Sequence, residues 1–399
     1  MGKKHGDSRA KPEWHVACEA ARAMKLSLAL ASFAVIGCTS AAAPMPAPSG
    51  ETTSPPAAPA ECGDGEYRTS ANTCEAFPKV GVVRSERVIA PARDHHTTMV
   101  IETASGPWLY VVGGTEGWSA MHDDVQRAKI APDGSLGAFE NAGKLPAPRA
   151  GHCMVKKGDR LYLFGGVTGT SSAGAGSSTV LLTLDADGKV VSSASGPELP
   201  TAVMHLTCDL VDDFVFVNGG RGKNSHSTTL SARTKIEADG SLSDFEKQTP
   251  LDPDRSHHAS FVREKRLYII GGLTGDPTAT TVNHKDVVYA DISEDGTLGT
   301  WTPAGALPKA LSVSSATLYK DAVYIFGGLE NGVTFTNRIR RATFELDGTL
   351  SAFATMPALL PEARGHVHQT PTYDRFLYSV GGKDDAEKSL DVVDIATFE

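Results

Sequence analysis

Six times along the chain an apolar stretch runs into a pair of glycines: LYVVGG (109–114), LYLFGG (161–166), VFVNGG (215–220), LYIIGG (267–272), VYIFGG (323–328) and LYSVGG (377–382). The first glycines, Gly113, Gly165, Gly219, Gly271, Gly327 and Gly381, follow one another at intervals of 52, 54, 52, 56 and 54 residues. A period that regular means one structural unit copied. The stretch before each pair lacks polar alternation, as expected of a strand covered on both faces. The second glycines, Gly114, Gly166, Gly220, Gly272, Gly328 and Gly382, complete a pair that lets the backbone turn and approach a neighbour where a Cβ would not fit.

Each unit reads through in the same order. An opening segment such as LPAPRAGH (145–152), LDPDRSHH (251–258) or LPEARGHV (360–367) precedes a short strand, a turn and the Gly-Gly strand. A variable loop follows, then an alternating strand such as DVVYADI (286–292), then an Asp-Gly turn as in DGSLGAF (133–139), DGSLSDF (239–245) and DGTLSAF (347–353). Asp-Gly favours tight reversal because glycine accepts positive φ. Four strands with tight reversals, repeated six times, bury both faces by packing like sheets in a ring. The fold expected over residues 79–399 is therefore all-β, a six-bladed propeller of four-stranded antiparallel blades. The chain ends at LDVVDIATFE, a third strand without a fourth, so KVGVVRSE (79–86) is expected to complete the last blade and close the ring.

Gly-Gly after an apolar strand, with a P-x-R-x-x-H opening and an aromatic fourth strand, resembles the kelch repeat. Tyr289 and Trp301 match that pattern in one unit, whereas Phe139, Phe245 and Phe353 take the Trp place in others. The resemblance implies a propeller scaffold with variable loops.

The first sixty residues read as targeting sequence. In MKLSLALASFAVIGC (24–38), Lys25 precedes an uncharged run too short to span a bilayer but suited to a signal peptide. Val35-Ile36-Gly37-Cys38 resembles the bacterial lipobox, which implies removal of residues 1–37 and acylation of Cys38, hence a lipid bilayer as a partner; an ordinary secretory signal is the alternative. Residues 1–23 form an unusually long polar leader, and Met24 is an alternative start. Residues 38–60 hold the lipidated cysteine and an Ala/Pro/Ser-rich tether too poor in apolar surface to fold. Thr39 lacks the aspartate associated with inner-membrane retention, so the expected location is the bacterial cell envelope, at the outer membrane, on its periplasmic or surface face.

The leading loop, residues 61–78, is bracketed by Cys62 and Cys74, which in an oxidising compartment most simply form a disulfide. Cys153 and Cys208 occupy similar places in successive repeats. Bridging and separate burial are both open, and burial as free thiols is the expectation. The formal charge of -9, falling to -12 once residues 1–37 are removed, argues against nucleic acid as a partner.

Eight of thirteen histidines fall in the opening segment: His95, His96, His152, His205, His257, His258, His366 and His368. Strand alternation admits one of each adjacent pair to the channel, and His96, His152, His258 and His366 are the candidate ligand contacts. Arg93, Arg149, Arg255 and Arg364 recur beside them, and their guanidinium forks suit an anionic sugar or peptide carboxylate. Histidines on separate blades need not converge, so no metal is assigned. No cofactor or catalytic residue is assigned either, because the chain lacks G-x-S-x-G, H-E-x-x-H and phosphate-loop motifs. The expected function is a monomeric, non-catalytic scaffold that binds protein or glycan through blade loops and channel mouth. The alternative is an enzyme resembling the six-bladed kelch sialic acid epimerases, or mutarotases, in which channel arginines hold a carboxylate.

Overall fold

The structure is a computed structural model that describes residues 66–68, 73–168, 174–276 and 280–399. The signal peptide, Cys38, the tether and Cys62 lie outside the described residues. Six four-stranded antiparallel sheets account for the repeat. Blade 1 is built from Thr97–Thr103, Gly106–Val112, Asp124–Lys129 and Glu140–Lys144, paired in chain order. The innermost strands of blades 2 to 6 are Cys153–Lys157, Thr207–Val211, Ala259–Arg263, Ser315–Tyr319 and Thr372–Tyr373. No helix among the described residues is long and apolar enough to cross a membrane.

The apolar strands are buried on both faces because their alternate residues feed two different interfaces. In blade 1, Leu109 and Val111 pack with Tyr378 and Val380 of blade 6, while Tyr110 and Val112 pack with Leu161 and Leu163 of blade 2. Each such side chain contributes about 1.5–3 kcal/mol on burial. The tyrosine of the strand adds a directed contact. Tyr110, Tyr162, Tyr268 and Tyr378 donate their hydroxyls to the carbonyls of Gly188, Gly240, Gly348 and Gly134 at 2.7–2.9 Å. Those acceptors are the glycines of the Asp-Gly turns on the next blade, so the two repeated motifs meet.

Two belts of backbone hydrogen bonds run round the ring. The second glycine of each pair donates its N–H to the next blade's opening segment, at the carbonyls of Arg149, Val203, Arg255, Leu311, Arg364 and Arg93 in turn, at 2.8–3.0 Å. These carbonyls explain the first glycine. A Cβ there would lie 2.3–2.6 Å from the same oxygen, and φ is +56° to +62° in all six.

The second belt passes through His95, Gly151, His205, His257, Val313 and His366, each N–H donating to the preceding member's carbonyl, and His95 N–H to His366 O closes the circle. The ring is sealed as expected: Val80–Arg84 pairs with Val393–Phe398, Val80 opposite Phe398 and Arg84 opposite Asp394, and becomes the outermost strand of blade 6. Ahead of it, Glu66–Arg68 and Cys74–Ala76 form a small hairpin.

Candidate functional site at the channel mouth

In each blade the loop joining the second and third strands lies on the same face as the opening segment, and the Asp-Gly turns lie on the other. The first face carries the channel mouth, where the expected residues divide sharply.

The four arginines do not line it. Arg93, Arg149, Arg255 and Arg364 are at most 3% exposed, and their guanidinium groups serve strand ends within the blade. Arg93 donates to Gly113 O at 2.9 Å and pairs with Asp124. Arg149 donates to Gly165 O and to Ser178 Oγ, and Arg255 to Gly271 O and Asp286. Arg364 donates to Ser379 O and pairs with buried Asp394 at 2.8 Å. Blades 3 and 5 place Val203 and Leu311 at the corresponding position, both buried, as suits an interior site. The arginines are pins for the Gly-Gly strand, and the expectation that they bind an anionic ligand is corrected.

Three of the four candidate histidines are also displaced. His96, His152 and His258 pack between blades, their rings against Gly381, Gly113 and Gly219 respectively. His152 Nε2 meets Thr97 Oγ1, and His258 Nε2 meets Thr207 Oγ1, at 3.0 Å each. Burial holds His96 and His258 down at about 3 and His152 well below its ordinary range, with neighbouring cations adding to the effect. All three are neutral and off the mouth, although His152 and His258 also line the cavity below it.

The mouth is formed by their neighbours. His95, His205, His257 and His366 share φ of +55° to +56°, which tips each ring toward the axis. Strand alternation assumes an extended backbone and fails at such a position. Gly151 at the same register, with φ +64°, is the one sequence sign of it.

His205 and His257 stack at 3.8 Å, and His95 and His366 lie 4.2 Å apart. His368 sits 5.7 Å from both His95 and His205. Burial, reinforced by mutual repulsion, pushes the four ring histidines well below their ordinary range; burial, opposed by the Asp94 carboxylate, lowers His368 to about 4. Trp118 covers His95 at 4.7 Å between ring centres. The four ring histidines and Trp118, with Arg221, Ser225 and Lys383, bound a cavity of about 260 Å³, and His368 lines the cavity below it. Ring nitrogens of His95, His205, His366 and His368 all lie within 4.8 Å of one another, a convergence that spacing along the chain did not show.

Below the mouth a second cavity, also about 260 Å³, runs between the innermost strands past Thr207, Asp209 and Gln369. Burial pushes the Asp209 carboxyl up to about 7, opposed by a 2.7 Å hydrogen bond from Ser260 Oγ. The same wall holds a disulfide between Cys153 and Cys208, separated by 55 residues. Both cysteines are buried as expected, but bonded rather than free. Cys74 is also disulfide-bonded; the expected partner, Cys62, lies outside the described residues.

The closed ring of four-stranded sheets with a side-chain-lined axial mouth defines a β-propeller. The KLHDC2/KLHL20/DRC7 Kelch-repeats domain family matches residues 95–295, about half of the chain, and the chain belongs to the kelch-repeat family. Kelch-like protein 33 of Homo sapiens is 28% identical over 130 residues, 32% of this chain and 22% of that protein. Kelch-like protein terF of Aspergillus terreus is 23% identical over 296 residues, 73% of this chain and 61% of that protein. The matches thus span less than two thirds of either relative. Among solved structures, that described as "Structure of YjhT" is similar with a TM-score of 0.59 at 12% identity, covering 77% of this chain and 95% of that one. At that identity the likeness shows the fold alone.

Proposed function

We propose that this chain is an exported, lipid-anchored scaffold that binds a protein or glycan partner without catalysis, using the face that carries the channel mouth. The observation that carries the reading is the asymmetry of the two faces. Loops of unequal length and composition, including Thr115–Met121 and Arg221–Ser227, flank the mouth, whereas the opposite face repeats one Asp-Gly turn. Variable loops on a rigid frame are where specificity concentrates. Kelch domains serve as protein-binding scaffolds, which favours a protein over a sugar. Export is supported by the Cys153–Cys208 disulfide, since such bonds persist in oxidising compartments. The epimerase reading loses the support that Arg93, Arg149, Arg255 and Arg364 gave it, because they are consumed inside the blades; Arg221 and Lys383 are the cations at the mouth.

The test places a photo-reactive phenylalanine analogue at Trp118 or Ser225 on the mouth face, and at Asp133 or Asp239 on the turn face, in the native host. Cross-links to one partner from the first pair alone are expected. Equal labelling from both faces would overturn the assignment. Cys38→Ala should release the protein from the membrane fraction, and retention of that variant on membranes would refute lipid anchoring. Glycan-array binding that Trp118→Ala abolishes would name a sugar as the occupant of the same face.

A further inference from the structure

We propose that the channel mouth is a transition-metal site in which His95, His205, His366 and His368 bind one divalent cation of the zinc class.

The argument begins with rigidity. Three of the four imidazoles stand on the closed backbone belt, where each residue's N–H and carbonyl are fixed by the neighbouring blades. The fourth, His368, follows His366 by two residues and reaches the axis from below. Tetrahedral zinc with bonds of 2.0–2.1 Å needs nitrogens about 3.3 Å apart. Ring nitrogens already within 4.8 Å of one another meet that demand through side-chain rotation, without moving the belt.

The hydrogen bonding points the same way. His95 Nδ1 is bonded to the Asp94 carboxylate, which accepts in turn from Ser389 Oγ at 2.5 Å. That arrangement fixes one tautomer and leaves Nε2 with a free lone pair, the way metal-binding histidines are held by a carboxylate behind them. His205 Nδ1, His366 Nδ1 and His368 Nε2 are buried without a hydrogen-bond partner. Ring nitrogens of His96, His152 and His258 are likewise buried without a partner between the blades; the mouth differs in that its histidines converge, so one cation offers a remedy to all of them. His257 stands outside the set, because the ring nitrogens that converge within 4.8 Å of one another are those of His95, His205, His366 and His368.

Imidazole nitrogens without thiolates suit zinc, nickel and copper, and do not suit magnesium or calcium. Lys383 and Arg221 at the rim add positive charge that opposes a cation. Lys383 is paired with Glu387, and Asp94 supplies a carboxylate. The remaining excess calls for an anionic ligand from solvent or from a bound partner's carboxylate, so the site would also be a place for an acidic side chain to dock.

The test uses the full chain purified without a histidine tag, stripped with chelator and titrated with zinc and, separately, cobalt. One equivalent of zinc with dissociation constant below about 1 µM is expected, together with a visible cobalt spectrum of tetrahedral intensity and zinc-edge absorption showing imidazole scatterers near 2.0 Å. His205→Gln and His368→Gln should each weaken binding at least tenfold, while His226→Gln, an exposed histidine on the rim, should not. Binding of less than 0.1 equivalent at about 10 µM zinc, or stoichiometric binding indifferent to both mouth substitutions, would overturn the proposal. Should a mouth variant fail to fold, the absorption spectrum of the unaltered protein decides: a shell without imidazole refutes the site.

Discussion

Replacing Tyr268 by Phe removes one hydroxyl and tests whether the tyrosines of the apolar strands tie the blades together. Tyr268 is buried and its hydroxyl lies 2.8 Å from Gly348 O on blade 5. The lost hydrogen bond is worth about 1 kcal/mol net, and the buried carbonyl left unpaired raises the expected loss to about 1–2 kcal/mol. Unfolding entropy of about 2.1 cal/mol/K per residue over about 320 residues converts this into a fall in Tm of about 2 °C. Urea unfolding followed by tryptophan fluorescence, with the calorimetric melt alongside, gives both quantities. Tyr110→Phe, Tyr162→Phe and Tyr378→Phe should behave alike, because each hydroxyl meets the same kind of turn carbonyl. Blade 3 carries Phe216 at this position, so Phe216→Tyr should cost nothing or gain stability. Losses below about 0.3 kcal/mol in all four Tyr→Phe variants would refute the idea that these contacts hold the ring.

Three other outcomes follow from the same structure. Cys153→Ala with Cys208→Ala should destabilise the fold by about 4 kcal/mol, the loop-closure value for a 55-residue separation, measured by urea unfolding against the oxidised protein. Acid should unfold the protein early: buried histidines stay neutral in the fold while the unfolded chain protonates near 6.5, so stability falls as pH drops below about 6.5, continuing to about 4 for His368 and about 3 for His96 and His258, with uptake of at least three protons per molecule. The Asp209 carboxyl has the opposite sign, since its folded value of about 7 exceeds the ordinary 3.8; its stabilising effect is full below 3.8 and lost as pH rises through 7. Asp209→Asn should therefore raise stability at pH 8 and leave it unchanged at pH 4, as read by melting at both values.

The fold was legible in the sequence because the constraint that makes it is local. A carbonyl crowding the first glycine and an N–H donated by the second demand the same dipeptide in every blade, and the period follows. Closure was legible for a similar reason: a missing fourth strand at the end and a spare strand at the start leave one arrangement. The site was less legible. Arg93 and its counterparts look like ligand-binding forks by residue type, and only the depth of the Gly-Gly carbonyls they serve reveals them as pins. His95 and His96 were exchanged because alternation presumes an extended strand, whereas the belt residue is left-handed. Convergence of His366 and His368 with rings from two other blades depends on the diameter of the channel, which no pairwise spacing encodes. The Cys153–Cys208 bond likewise joins neighbouring blades, and burial alone does not distinguish a bridge from two thiols.

The mouth, the belt and the converging histidines all depend on the N-terminal strand completing the last blade. Paired cysteines at Val82 and Ala396 test this directly, since those residues stand opposite one another in the strand pair. Mild oxidation followed by peptide mass analysis should show a bond between positions 82 and 396, and little when the first cysteine is moved to Val83, whose side chain points to the other face. Failure of the 82–396 bond to form, or equal bonding from 83, would contradict the closed six-bladed ring and with it the site.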